Sequence, residues 1–200
     1  MARISLARQV AELRREFREL PEREFKRGAA SALNKIANQA RNQAARQIAA
    51  EYSLPVSAIK KSLSVKRRAN RNELTATIAA AGAPLPLILF KARQTRKGVT
   101  VQVKRGSRRL IAGAFIKTLS SGHRGVFARG RYASNEFAFR HKRIRRFPDN
   151  DLSITELVGV GVPTGFRKDA VQDALRQLVE SKFGELLHAE LTFRTMRVGR

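Results

Sequence analysis

Apolar residues recur every three or four positions at the two ends of this chain and every second position in stretches of its middle. From Ser5 to Leu20, the positions Leu6, Val10, Leu13, Phe17 and Leu20 form one apolar face among Arg and Glu, which predicts an amphipathic helix ended by Pro21. A longer helix is predicted from the acidic turn at Glu22 and Glu24 to about Glu51, because carboxylates favour the positive end of a helix. Its stripe, Phe25, Ala29, Leu33, Ile36, Ala40, Ala44 and Ile48, is rich in Ala and permits close packing, while Asn34, Asn38, Gln39, Asn42, Gln43 and Gln47 make an uncharged amide face. Such a face suits a helix that touches a like neighbour in an oligomer, with Asn34, Asn38, Asn42, Gln43 and Gln47 as the interface; a solvated helix face is the alternative. Ser53 as N-cap and Pro55 in the first turn predict a short helix through Leu63.

The pattern then changes to strands. Leu74 to Ile78, Leu87 to Lys91 and Val99 to Lys104 read as strands, with Ala79 to Pro86 as a connection. A basic loop, Arg93 to Gly98, separates the second and third. The turn Arg105 to Ser107 leads into Arg108 to Ile116 as a hairpin, and Gly125 to Arg129 and Glu136 to Phe139 add two short strands. Leu152 to Val162 reads as a strand or extended arm, Pro163 to Gly165 as a turn. A last helix from Phe166 toward Met196 carries Val171, Leu175, Leu178, Phe183, Leu186 and Leu191 on one side. The expected class is α+β: a small, mostly antiparallel sheet flanked by long N-terminal and C-terminal helices. Residues 1–63 would be the N-terminal helices, 64–148 the β-rich centre, and 149–200 the arm and last helix, together one domain with helical extensions.

Charge sharpens this picture. Of the net +25, nearly all sits between Tyr52 and Pro148, where 23 Lys and Arg face two acids, Glu73 and Glu136. A folded segment of that sign calls for a polyanion or a strongly acidic partner. The groups that present it are Lys66, Arg67, Arg68 and Arg71; Arg93, Arg96 and Lys97; Lys104, Arg105, Arg108 and Arg109; and Arg140, Lys142, Arg143, Arg145 and Arg146. With no Cys there is neither a disulfide framework nor a thiol nucleophile, and no apolar run approaches the ~20 residues of a membrane span. A cytoplasmic protein, or one assembled there into something larger, is expected.

Catalytic chemistry finds little to use. His123, His141 and His188 are not at metal-ligand spacing, and the first two read as further surface donors. Carboxylates are too sparse in the middle to form an acid–base pair or to hold Mg²⁺. Asp149 and Asp151 lack the downstream Gly and Glu of a calcium loop, and Gly159 and Gly161 lack the Lys-Ser or Lys-Thr of a phosphate loop. Phe137 and Phe139 stand without an RNP-like motif, so contact with phosphates or acidic proteins is expected, without base readout. A simply solvated basic surface is the alternative. No enzyme activity, metal or cofactor is expected.

The order of features also carries a resemblance. The helix AASALNKIANQARNQAARQIAAEYSLPVSAIKKSLSVKRRA, the basic β region, RRLIAGAFIKTLSSGHRGVFARG and the closing ITELVGVGVPTGF together resemble the minor tail protein Z family of long-tailed bacteriophages and prophages. Gly113-Ala114-Phe115-Ile116 followed by Gly125, Val126, Phe127 and Arg129 is the most distinctive part. The resemblance spans roughly Ala29 to Phe166; Met1 to Leu20 and Ala138 to Phe147 depart from it. It implies a non-enzymatic tail completion component at the head-proximal end of the virion tail. Such a component would form a homo-hexameric ring around the DNA channel, next to tail terminator, tail tube and neck proteins. Its DNA contact would be double-stranded and not sequence-specific, with no membrane involved. A free-standing nucleic-acid-binding protein is the competing expectation.

Overall fold

The computed structural model describes residues 4–129 and 154–198. In chain order the elements are α1 (Ala7–Glu16), α2 (Glu22–Glu51), α3 (Val56–Ser62), β1 (Leu63–Arg67), β2 (Thr77–Ala80), a 3₁₀ turn (Leu87–Leu89), β3 (Arg93–Thr95), β4 (Gly98–Val101), β5 (Arg109–Ala112), β6 (Phe115–Thr118), β7 (Arg124–Arg129), β8 (Ile154–Glu156), α4 (Val162–Phe166) and α5 (Asp169–Val198). The class is α+β. Among the described residues the strands form three small sheets in place of one, β1-β2, β3-β4-β5 and β6-β7-β8, and every pairing there is antiparallel. The chain gathers into two compact units.

The first unit comprises Met1–Arg46, Lys60–Ala80 and Phe166–Arg200. The helix α2 starts where expected, with Phe25 N donating to Pro21 O and with Glu22 and Glu24 in its first turn. It buries more than the expected stripe: Ala30, Ala32, Ala37 and Ala45 are covered along with Ala29, Ile36, Ala40 and Ala44. The long helices meet closely at Gly28, where a Cβ would lie 2.8 Å from the Leu191 side chain. Lys35 with Glu190 (2.5 Å) and Arg194 with Glu24 (3.2 Å) flank that contact. Along α5 the buried residues are Val171, Leu175, Val179, Phe183, Leu187 and Leu191, so the stripe steps strictly by four. The expected Leu178 and Leu186 are half-buried beside it. A ridge of residues four apart is inclined to the helix axis, so the covered face winds along the helix instead of keeping to one side. The short α1 stops at Glu16, before the expected Leu20, and packs its half-buried Leu13 and Phe17 side toward α5, with Phe17 edge-on to His188 at 5.3 Å.

The second unit comprises Gln47–Ile59 and Ala81–Gly165. Its core is built from Leu87, Phe90, Val99, Val101, Ile111, Val126, Ala128 and Leu157. The run Leu87 to Lys91 is not a strand. It coils into a 3₁₀ turn, in which residues three apart share a face, and this is how Leu87 and Phe90 are both fully buried. Lys91 leaves that turn with φ 50. The expected loop at Arg93 is instead β3, paired with β4 through Arg93↔Thr100, Gln94↔Val99 and Thr95↔Gly98. The hairpin β4–β5 forms with Val101↔Arg109, but Arg108 to Ile116 does not continue as one strand. Gly113, at φ 71, turns the chain between β5 and β6, a conformation open to Gly at little cost. Strand β7 is expected and present, buried between β6 and β8.

Other local expectations change with the packing. Ser53 is not a helix cap: its N–H donates to Val103 O, its Oγ is buried without a partner among the described residues, and Pro55 O accepts the first helical N–H groups of α3. Pro163 to Gly165 is not an open turn but a single helical turn, α4, set against Ile48 and Tyr52 where only a small residue fits. Gly159 likewise admits the Phe90 ring at 2.8 Å from where a Cβ would be, a packing role. The expected strand Glu136 to Phe139 lies outside the described residues.

A candidate polyanion-binding surface

The sequence-predicted basic residues fall into two places, one on each unit. On the second unit, Arg96 and Lys97 form the two-residue turn that joins β3 to β4. At the opposite end of the same sheet lie Lys104, Arg105, Arg108 and Arg109, with Arg93 and Lys91 beside them. Strand β4 is four residues long, so the two ends are only ~10 Å apart, about one Debye length at moderate salt. All seven predicted residues are exposed. Arg93, Arg96, Lys97, Lys104 and Arg105 make no ion pair among the described residues, while Arg108 donates to Lys91 O at 3.3 Å and Thr100 Oγ1 at 3.1 Å. Arg108 is thereby laid across the sheet. Against eleven Lys and Arg the described part of this unit has two acids, Glu51 and Glu156.

Four exposed cations of this unit escaped sequence reasoning: Lys91, Lys117, Arg124 and Arg129. Each stands without another Lys or Arg beside it, so no run of like charge marks them, although strand alternation around Gly125 to Arg129 places Arg129 at a strand end. Arg129 sits over the Phe115 ring at 5.9 Å. His123, expected as a surface donor, is engaged with Glu156 Oε1 at 2.8 Å and stands edge-on to Phe127.

On the first unit, Lys66, Arg67, Arg68 and Arg71 are exposed around the connection from β1 to β2. The register slips between Val65 and Arg67, leaving Lys66 as a bulge that re-aims the strand. The connection is tightly held. Asn34 Nδ2 donates to Ala69 O and Ala69 N donates to Asn34 Oδ1, both at 2.9 Å, and Ala69 is buried. Asn70 Oδ1 accepts from Asn72 N and Glu73 N, each at 2.9 Å, and Asn70 N donates to Glu73 O. Glu73, the one acid here, takes Arg67 at 2.7 Å.

The amide face of α2 therefore divides. Asn34 is committed to its own chain, and Asn38 donates back to Asn34 O at 3.0 Å. Asn42, Gln43 and Gln47 are half-buried, with Asn42 Oδ1 covered and unpartnered among the described residues. Arg140, Lys142, Arg143, Arg145 and Arg146 lie outside the described residues, as do Asp149 and Asp151. The acids that offset so much base lie mainly on helices: Glu12, Glu16, Glu180 and Glu185 line a cleft of about 400 Å³ between α1 and α5. Glu24 sits at the α2–α5 contact. Burial tends to raise the Glu24 carboxyl, but the Arg27 guanidinium at 2.6 Å and Arg194 at 3.2 Å outweigh it and hold the pKa below the usual value.

Among the described residues no three His, Asp or Glu gather as a metal site, and no helix is long and apolar enough to cross a membrane. What the fold and surface define is an α+β protein whose second unit, among its described residues, carries eleven Lys and Arg against two acids. The family model described as prophage minor tail protein Z (GPZ) matches residues 11–198, so the chain belongs to that family and is a phage minor tail protein, a component of the virion. The match reaches beyond the expected Ala29 to Phe166, taking in part of α1 and the whole of α5. A search of curated proteins and one of solved structures found no match.

Proposed function

We propose that this tail protein is a non-enzymatic completion component of a long-tailed bacteriophage, acting at the head-proximal end of the tail. There it forms a ring, a homo-hexamer, around the DNA channel and joins tail to neck, next to the tail terminator and tail tube proteins. The observation that carries this reading is the exposed, unneutralised set Arg93, Arg96, Lys97, Lys104 and Arg105 on a rigid hairpin pair. Fixed cations on strand turns suit a surface pressed against the genome or an acidic neighbouring ring, and need no base readout.

Support for self-association comes from α2. Asn38, Asn42, Gln43 and Gln47 are only half-buried, so part of an uncharged amide face stays at the surface of the single chain. A neighbouring subunit seated on Asn38, Asn42, Gln43 and Gln47 would give the exposed parts of those amides hydrogen-bond partners. Imaging the neck of virions by cryo-electron microscopy tests the whole reading. The expected result is this chain traced as a sixfold ring between tail tube and head; its absence from the neck, or a place at the distal tip, would overturn it.

A further inference from the structure

We propose that the Lys66–Arg71 turn of the first unit is a preformed contact for the phosphates of duplex DNA, and that Asn34 is the residue that positions it. This rests on the reading that the chain's positive surface meets the genome, and it names one site and one device.

Three observations converge. First, the turn is rigid although it is exposed. A reciprocal pair of hydrogen bonds from Asn34 fixes Ala69, the Asn70 side chain closes the next turn, and the bulge at Lys66 sets the direction of entry. Second, its charge is left free. Glu73 neutralises Arg67, whereas Lys66, Arg68 and Arg71 are exposed with no ion pair among the described residues. Cations whose backbone is already ordered lose less entropy when they bind than cations on a mobile loop. Third, the surroundings are wrong for a protein partner. A protein interface has an apolar centre, and the exposed positions here are Lys66, Arg67, Arg68, Asn70, Arg71 and Asn72, with Leu74 the one large apolar neighbour, 37% exposed. Polar, strongly cationic patches that include Asn are what nucleic-acid backbones meet.

The clamp separates this from general charge. Asn34 is half-buried, 35 residues away in sequence and uncharged, so replacing it leaves the net charge as it was. The test is duplex binding by the purified full chain, read by fluorescence anisotropy with a labelled DNA of ~25 base pairs from ~50 to ~200 mM salt. Circular dichroism melts run alongside. Wild type binds with a linear log–log salt dependence. Arg68→Ala/Arg71→Ala, both at exposed positions, lowers the slope by about 2, since each phosphate contact contributes about 0.9. Asn34→Ala weakens binding ~3- to 10-fold with a shallower slope, at unchanged net charge, because the same cations no longer hold one arrangement. A fold-intact Asn34→Ala that binds like wild type, or an Arg68→Ala/Arg71→Ala protein with an unchanged slope, overturns the assignment alone. Competition by poly-glutamate at equal charge concentration overturns it in favour of an acidic protein. A wild-type chain that binds no duplex at ~50 mM salt overturns both this site and the reading beneath it.

Discussion

At the scale of single residues, two positions show how narrowly this backbone is drawn. Gly98 holds φ +150, and a Cβ there would stand 2.1 Å from Ile111 O on the paired strand. Gly106 also has positive φ, +80, but open space around it. Gly98→Ala is therefore expected to cost about 2–4 kcal/mol, as strain and clash add, and Gly106→Ala only about 1 kcal/mol, from backbone strain alone. Urea unfolding of the two variants measures the difference, and equal losses would mean that β4 and β5 are not so close. Glu24 carries a separate expectation. Its folded pKa lies below the unfolded one, so its contribution to stability is complete above the ordinary carboxylate range and disappears as pH falls through the lowered value. Glu24→Gln should thus lower the thermal midpoint at about pH 7 and converge with wild type as the pH falls below the ordinary carboxylate range. A gap between the two that stays constant with pH would show that the Arg27 and Arg194 contacts act without titration.

At the scale of elements, the helices were the most legible part of the chain and the phase of their buried faces less so. Helix α2 begins and ends where Pro21, the acidic first turn and the Ala pattern placed it. Helix α5 is legible from its periodicity, yet that periodicity puts Leu178 and Leu186 on the apolar side where the buried residues are Val179 and Leu187. Sequence spacing cannot tell adjacent ridges apart when both are apolar, because the choice depends on which side its partners approach. Phe183→Ala, at a fully covered position, is expected to cost about 3–5 kcal/mol. Leu178→Ala, at a half-buried one, should cost roughly half of that or less, and denaturant titrations that found the two equal would contradict the winding stripe. Short strands were harder to read. Leu87 to Phe90 has no alternation to separate strand from 3₁₀ turn, and the division of strands into three sheets follows from contacts far apart in sequence. The basic groups were legible because charge runs survive any fold. The clamp on one of them was not, since nothing in the sequence ties Asn34 to Ala69.

At the scale of the whole molecule, a net charge of +25 on a chain proposed to assemble with itself sets two effects against each other. Copies repel through their summed charge, over a range set by the Debye length, ~30 Å at 0.01 M salt and ~8 Å at 0.15 M. They attract through local pairs at contact distance, and the chain has material for both sides: exposed cations on β3–β5 and the acids Glu12, Glu16, Glu180 and Glu185 on α1 and α5. A surface patch that meets a different patch on the next copy builds rings or filaments and not closed pairs. Salt screens the long-range term first and the contact term last. Self-assembly should therefore rise from ~0.01 M to ~0.15 M salt and fall again toward ~1 M, where the Debye length is ~3 Å. Binding to duplex DNA, which has no long-range repulsion to relieve, should fall throughout that range. Sedimentation velocity of the purified chain across the series separates the two behaviours. A maximum at intermediate salt with a discrete large species supports ring closure, whereas a monomer at every salt would mean that the ring, if it forms in the virion, is imposed by the neighbouring tail proteins and not encoded in this surface.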